Sequence, residues 1–261
     1  MDLDDDFAQM ANIPGGQDYP PRWAAKSEAF RAAMADRLDS GVSYGASVRQ
    51  VYDFFRPEGQ ARGTMVFVHG GYWLRNDRLS SSHLAAGALA RGWNVAVVQY
   101  DLCPEVRIAD ITNQVARAIE HVAARAPGPV SLTGHSAGGH LVARMLAPGI
   151  LDAGTLARIV AVAPIAPVAD LRPLLRTSMN DAFGMDIGDA AAESPVLQPA
   201  PDTPVTIWVG TDERPALLEQ AHALAGAWKV PLVVVPGLHH FDIIDALEDA
   251  DSDIVAFLAS Q

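Results

Sequence analysis

The residues best placed to do chemistry lie in Val130-Ser-Leu-Thr-Gly134-His135-Ser136-Ala137-Gly138-Gly139-His140-Leu141, where an apolar run gives way to helical periodicity at Leu141, Val142, Met145 and Leu146. A Gly-x-Ser-x-Gly segment between a strand and a helix is a nucleophile elbow, with the serine hydroxyl projecting from the carboxyl end of the strand. Gly134 and Gly138 leave room for a turn so tight that Ser136 must take strained backbone angles, and Gly139 lets the new helix sit close to its strand. The helix that starts there brings free amide donors and a partial positive charge beside the attacking oxygen. A bare pentapeptide of this kind also occurs by chance, so the strand-to-helix setting carries the reading.

A serine hydroxyl becomes nucleophilic when an imidazole takes its proton, and the imidazole needs a carboxylate to fix its tautomer. Downstream of the elbow, an apolar run ends in Gly210-Thr211-Asp212-Glu213 and another in Pro236-Gly-Leu-His239-His240-Phe241-Asp242. The order serine, acid, histidine is the one that accompanies this type of elbow. Asp212 is the expected acid, with Glu213 the alternative and Asp170 a weaker rival, read as an N-cap to the segment starting at Leu171. Neighbours in an extended loop point opposite ways, so one of His239 and His240 faces Ser136; Phe241 beside His240 would pack to hold the loop. Upstream, His69-Gly70-Gly71-Tyr72-Trp73 follows the apolar run Met65-Val-Phe-Val68. Amides at Gly71 and Tyr72, with that of Ala137, would form an oxyanion hole. His69 reads as a loop anchor bonded to backbone. Tyr72 and Trp73 would narrow the acyl side and offer a stacking face to an aromatic leaving group, or else act as buried supports for the loop.

The elements that must hold these groups alternate along the chain. Strands are expected at Gln50–Arg56, Met65–Val68, Trp93–Val98, Val130–Leu132, Arg158–Val162, Pro204–Gly210 and Leu232–Val235, and helices at Pro20–Leu38, Ser80–Arg91 (capped by its serines), Ile108–Ala126 and Pro215–Trp228, with a last one ending at Leu258. Several strands are near-continuous apolar runs, as strands covered on both faces require. This points to an α/β fold with an open, mostly parallel sheet whose chemistry gathers at the carboxyl ends of strands. Residues 164–200 hold Pro167, Pro173, Pro195 and Pro199 and no strand-like run, and are read as a small helical cap above the site, with helices at Leu171–Leu175 and Ser178–Phe183. Residues 1–40 form an N-terminal helical appendage whose acidic end frays, and residues 41–261 a single α/β domain with the cap inserted at about 164–200.

The chain has 261 residues, 49% of them hydrophobic, and a formal charge of −12, which argues against work on nucleic acid or an anionic membrane. Cys103 is the sole cysteine, so no intrachain disulfide forms, and no Cys/His spacing suggests a metal. Without a signal-like amino end, the expected location is the cytoplasm.

Taken together, His69-Gly-Gly-Tyr-Trp73, Gly134-His-Ser-Ala-Gly-Gly139, Gly210-Thr-Asp212 and His240-Phe241 resemble the α/β-hydrolase superfamily from about Gln50 to Leu258. The His-Gly-Gly-Tyr-Trp form is similar to the kynurenine formamidase (arylformamidase) branch, as are Tyr100-Asp-Leu-Cys-Pro104 and Asp170-Leu-Arg-Pro-Leu-Leu175. The resemblance implies an α/β-hydrolase fold, a triad of Ser136, Asp212 and His240, no cofactor or metal, and hydrolysis of an aryl formamide such as N-formylkynurenine to formate and a free arylamine. The alternatives are a carboxylesterase for small acyl esters and a non-catalytic ligand-binding protein on the same fold. A small-molecule substrate is the expected partner, and a homodimer is left open.

Overall fold

A computed structural model describes residues 3–260 of the chain. Eight strands, β1 (Leu38–Ser43), β2 (Val51–Phe55), β3 (Thr64–Val68), β4 (Asn94–Val98), β5 (Val130–His135), β6 (Ile159–Ile165), β7 (Ile207–Gly210) and β8 (Leu232–Val235), form one sheet in the order β1-β2-β4-β3-β5-β6-β7-β8. From β4 onward every neighbouring pair is parallel, while β2 runs antiparallel to both β1 and β4. The expected architecture is therefore what the chain builds.

The unbroken apolar runs explain the layering. β3, β4 and β5 are buried at every position, and the two-residue period of a strand divides their side chains between two cores. Val66, Val68 and Leu132 face one core, together with Ile111, Val115, Ile119 and Val122 of helix Ile108–Arg125. Met65, Phe67, Val95 and Val97 face the other, with Trp93, Leu84 and Leu258. Each such side chain contributes roughly 1.5–3 kcal/mol by leaving water, which fixes the register of β3 and β5 and so the places where their carboxyl-end loops emerge.

Differences from the expected elements lie at the margins. The helix expected over Pro20–Leu38 runs Tyr19–Ala33, and Leu38 opens β1 instead. β1 is a polar edge strand with a bulge between Asp39 and Val42, so it lacks the alternation that would announce it. Ser80–Arg91 is not one helix but two short 3₁₀ turns followed by Ala86–Ala90, and the cap is Asp77, whose side chain accepts from the amides of Leu79 and Ser80. The last helix is divided into Ile243–Glu248 and Asp253–Leu258.

The cap segment holds short helices at Arg172–Arg176, Asn180–Phe183, Ile187–Ala192 and Pro195–Leu197. It is tied to the rest by a buried ion pair: Arg144, at the end of the elbow helix, meets Glu193 at 3.2 Å, and Thr112 donates to the same carboxylate at 2.6 Å. Both charges and the Thr112 hydroxyl are satisfied within one network, which is the condition for a buried pair to be tolerated.

The acidic amino-terminal residues read as a frayed end. Met1 and Asp2 lie outside the described residues, but from Leu3 onward the chain is pinned: the Leu3 amide donates to the Arg176 carbonyl, the Ser178 amide to Asp4, and Arg214 to both the carbonyl and the carboxylate of Asp5. Phe7 and Gln9 are buried.

Candidate active site

The elbow forms between β5 and helix Ala137–Arg144. Ser136 sits at φ 57° and ψ −116°, a conformation that costs on the order of 1–3 kcal/mol and persists because neighbours hold it. Its amide donates to the Ile165 carbonyl at 2.8 Å, and its carbonyl accepts from the His140 amide at 3.0 Å. Gly138 is indispensable here: a Cβ on it would lie 1.9 Å from the Val68 carbonyl oxygen of the adjacent strand.

The loop after β3 is equally constrained. Gly71, Tyr72 and Trp73 have φ values of 109°, 51° and 56°. Three consecutive residues in the left-handed region turn the chain sharply, and a side chain on Gly71 would strike the Arg75 carbonyl at 2.5 Å. Among the described residues, the amides of Gly71 and Tyr72 find no acceptor, and that of Ala137 is at the first position of its helix, where no intrahelical acceptor exists. Donors left in this state beside a serine are suited to a developing oxyanion.

His69 anchors that loop. It is buried, its Nδ1 donates to the Gly70 carbonyl at 2.8 Å, its ring stacks on Tyr100 at 4.2 Å, and the Tyr100 hydroxyl donates to its carbonyl. Burial lowers its pKa to about 4, so the ring is neutral.

Ser136 and His240 line one cavity of about 520 Å³. His240 is buried, and its Nδ1 donates to Glu213 Oε2 at 2.6 Å. The expected acid is thereby corrected: Asp212 is exposed, its carboxylate accepts from the Thr211 hydroxyl at 3.0 Å, and it makes no contact with His240. The reason is the geometry of the loop after β7. The Thr211 amide bonds to Val235 and the Asp212 amide to Leu238, which fastens those two residues to the histidine loop by backbone and leaves their side chains outside. Glu213 is the first to turn inward, and its second oxygen accepts from the Arg214 amide at 2.8 Å. Asp170 instead pairs with Arg172 at 2.7 Å.

The loop holding His240 is fixed from three sides. His135 donates from Nε2 to the His240 carbonyl at 2.7 Å, with the two rings 4.5 Å apart. Phe241 packs edge-on against Trp23 at 5.4 Å. His239 turns away to the Tyr19 hydroxyl at 3.1 Å and to Asp242. His135 is held neutral, its pKa well below the usual histidine value through burial first and the neighbouring His240 second.

Tyr72 and Trp73 part company. Trp73 is fully buried and edge-on to His140 at 4.9 Å and to Phe183 at 5.7 Å, away from the cavity, so the substrate contact expected of it is replaced by a supporting role under the loop and cap. Tyr72 lines the cavity, and its hydroxyl lies 3.0 Å from the Phe7 carbonyl and 2.9 Å from the Gln9 side-chain amide, its single proton serving one of the two.

Much of the remaining wall is formed by residues not singled out in the sequence: Phe7, Gln9 and Met10 from the amino-terminal segment, Trp23 from the first long helix, and Arg75. Ser178 and Met179 place the cap over the same space. The signal for the first group is present, since Phe7, Ala8 and Met10 directly follow the acidic run and are apolar. Among the described residues no group of three or more His, Cys, Asp or Glu side chains is arranged to hold a metal ion.

A buried serine elbow that opens into a cavity at the carboxyl end of a parallel strand, with unsatisfied amides beside it and a carboxylate-bound imidazole in the same cavity, can carry out acyl transfer to water. Residues 65–240 match the profile of a family with the alpha/beta hydrolase fold, and the chain belongs to that family. It is a hydrolase. The kynurenine formamidase of Drosophila melanogaster is 28% identical over 289 aligned residues, which cover 98% of this chain and 96% of that protein. The kynurenine formamidase of Salmo salar is 27% identical, covering 90% of this chain and 85% of its own. Among solved structures, a proposed thioesterase from Silicibacter sp. TM1040 superimposes with a TM-score of 0.97 at 53% identity, covering 99% of each chain. An esterase of the archaeon Pyrobaculum calidifontis shares the fold, with a TM-score of 0.70 at 19% identity over 94% of this chain and 93% of its own. No helix of the described residues is long and apolar enough to cross a membrane.

Proposed function

We propose that this hydrolase is an arylformamidase that cleaves the formyl amide of N-formylkynurenine or a close aryl formamide, giving formate and the free arylamine. The observation that carries the reading is the cavity wall: Phe7, Trp23, Tyr72 and Phe241 surround the space beside Ser136 and His240 with aromatic faces, as an aryl leaving group requires. The near full-length similarity to two kynurenine formamidases supports it.

In this mechanism His240 takes the Ser136 proton as the oxygen attacks the formyl carbon. Glu213 holds the imidazole in the tautomer that leaves the other ring nitrogen basic, and it stabilises the imidazolium that forms. The amides of Gly71, Tyr72 and Ala137 receive the oxyanion. Collapse of the tetrahedral intermediate breaks the carbon–nitrogen bond, and protonated His240 delivers its proton to the departing arylamine nitrogen. Water, deprotonated by His240, attacks the formyl-enzyme; the Ser136 oxygen–carbon bond breaks, His240 returns the proton to the serine oxygen, and formate leaves. The chemistry uses no cofactor, and we place the protein in the cytoplasm.

Hydrolysis of an ester or thioester would use the same groups, and the resemblance to the proposed thioesterase favours that as the second reading. Steady-state kinetics on the purified protein separates the two. The formamidase reading expects higher kcat/KM for N-formylkynurenine than for acetyl and butyryl aryl esters; efficient butyryl ester or thioester turnover without kynurenine release would replace it by the second.

A further inference from the structure

Among the described residues, and apart from histidines, the cavity is lined by two ionisable side chains that carry charge at neutral pH, Asp4 and Arg75. They are differently placed. The Asp4 carboxylate accepts from the Ser178 amide at 2.6 Å and so helps hold the amino-terminal segment to the cap. Among the described residues, the Arg75 guanidinium makes no hydrogen bond or ion pair. Other arginines of the chain are committed to carboxylates: Arg31 and Arg78 to Asp53, Arg144 to Glu193, Arg172 to Asp170, Arg214 to Asp5.

The base of the Arg75 side chain is fixed by the oxyanion loop itself. The Leu74 amide donates to the Gly71 carbonyl at 3.0 Å, and both the Arg75 carbonyl oxygen and its Cγ lie close enough to Gly71 that a Cβ there would meet them at 2.5 and 2.9 Å. The loop that aims the Gly71 and Tyr72 amides thus carries, four residues further on, a guanidinium at the exposed rim of the same cavity. An arginine in this position offers a planar pair of donors to a carboxylate. The surroundings give the charge a purpose. The protein bears a formal charge of −12, and Asp4, Asp5 and Asp6 lie in the segment that walls the cavity, so the general field opposes an anionic ligand. Admission of an anion needs a local cation.

We infer that Arg75 is a specificity-determining residue that receives a carboxylate carried by the leaving-group portion of the substrate. This rests on the arylformamidase reading, in which the arylamine of N-formylkynurenine bears an α-amino acid while the formyl group is too small to reach the rim.

The test compares kynurenine with kynuramine, which lacks only the carboxylate, by calorimetric titration of the full-length protein and of Arg75→Ala and Arg75→Lys. Wild type should bind kynurenine about tenfold more tightly than kynuramine, a preference that weakens with added salt. Arg75→Ala should bind both alike, and Arg75→Lys should recover part of the difference, with thermal midpoints unchanged because the side chain is exposed and unbonded. Equal affinities in wild type, no measurable binding of either compound, or a preference that survives in Arg75→Ala would overturn the inference. Turnover of N-formylkynurenine by the wild type is scored separately: its absence alongside an Arg75-dependent preference removes the formamidase reading and leaves the carboxylate site, whereas turnover with an Arg75-independent preference does the reverse.

Discussion

Glu213 reaches His240 because two preceding residues are spent on backbone bonds to the histidine loop, and because glutamate has one more methylene than aspartate with which to cross the gap. The consequence is measurable. Glu213→Gln should lower kcat by about 10³–10⁴-fold, since an amide can hold the ring in the wrong tautomer and cannot balance the imidazolium, whereas Asp212→Ala should stay within a few-fold of wild type. Initial rates on one substrate decide it, and the opposite ranking would return the role to Asp212. Little in the sequence could separate the two carboxylates. Both follow a strand, both are the right chemistry, and the choice hangs on which side of the chain a turn presents, a matter of hydrogen bonds to Val235 and Leu238 more than twenty residues away. The elbow is different: Gly134, Ser136 and Gly138 carry their steric reason with them, as Gly138 against the Val68 carbonyl makes plain. For Trp73 an aromatic next to a glycine pair suggested a substrate contact, but the left-handed φ at Tyr72 and Trp73 sends the two rings in different directions.

At the level of elements, the amino-terminal segment Leu3–Ala11 is a wall of the cavity and is clasped from two sides. Tyr72, in the oxyanion loop, holds Phe7 and Gln9, while Arg214, next to Glu213, holds Asp5. A segment fastened to both halves of the machinery orders them as well as covering them. Removing residues 1–11 should therefore raise KM for an aryl formamide by about 30-fold or more, the equivalent of the roughly 2 kcal/mol or more from one buried aromatic side chain and a hydrogen bond. Tyr72→Phe, which loses the hydroxyl and keeps the ring, should leave KM closer to wild type and make the segment more open to limited proteolysis. A truncated protein with unchanged KM would show that the wall is not used by substrate. In the sequence this element reads as a fraying tail because its acidic residues, Asp4 to Asp6, look like solvated charge; the partners of Asp4 and Asp5, Ser178 and Arg214, are remote in the chain and invisible to local pattern. The same applies to β1, whose polar residues pair across a bulge, and to the short turns of Ser80–Arg91, where Asp77 displaced the serines as cap. The long helices and buried strands were legible because burial on two faces writes itself into the chain as continuous or 3.6-periodic apolar residues.

For the whole molecule, the same periodicity makes the α/β class readable, and the packing of helices and loops onto the sheet also buries polar rings. His69, His83, His135 and His140 are all buried, and in each the pKa is lowered first by burial, to about 4 for His69, His83 and His140 and well below the usual value for His135. In the unfolded chain these rings titrate near 6.5. Between that value and about 4 the unfolded chain therefore binds more protons than the folded one, and stability must rise with pH across the window. The contribution is fully present above about pH 6.5 and is lost as the pH falls toward the folded-state values, with a slope of up to about 1.4 kcal/mol per pH unit for each ring. Glu193, whose carboxyl is held below its usual range against its own burial by Arg144, His140 and Thr112, adds loss in the same direction at lower pH. Asp245, raised by burial, works the other way as one half-buried group. The urea midpoint should thus fall steeply from pH 7 to pH 5, where a surface histidine would have little effect. His69→Gln should flatten part of that slope, because glutamine keeps a donor for the Gly70 carbonyl and does not titrate. A midpoint constant between pH 7 and 5 would mean that the rings are protonated in the folded protein, which the neutral hydrogen-bond pattern of His69 and His135 around the catalytic loops could not accommodate.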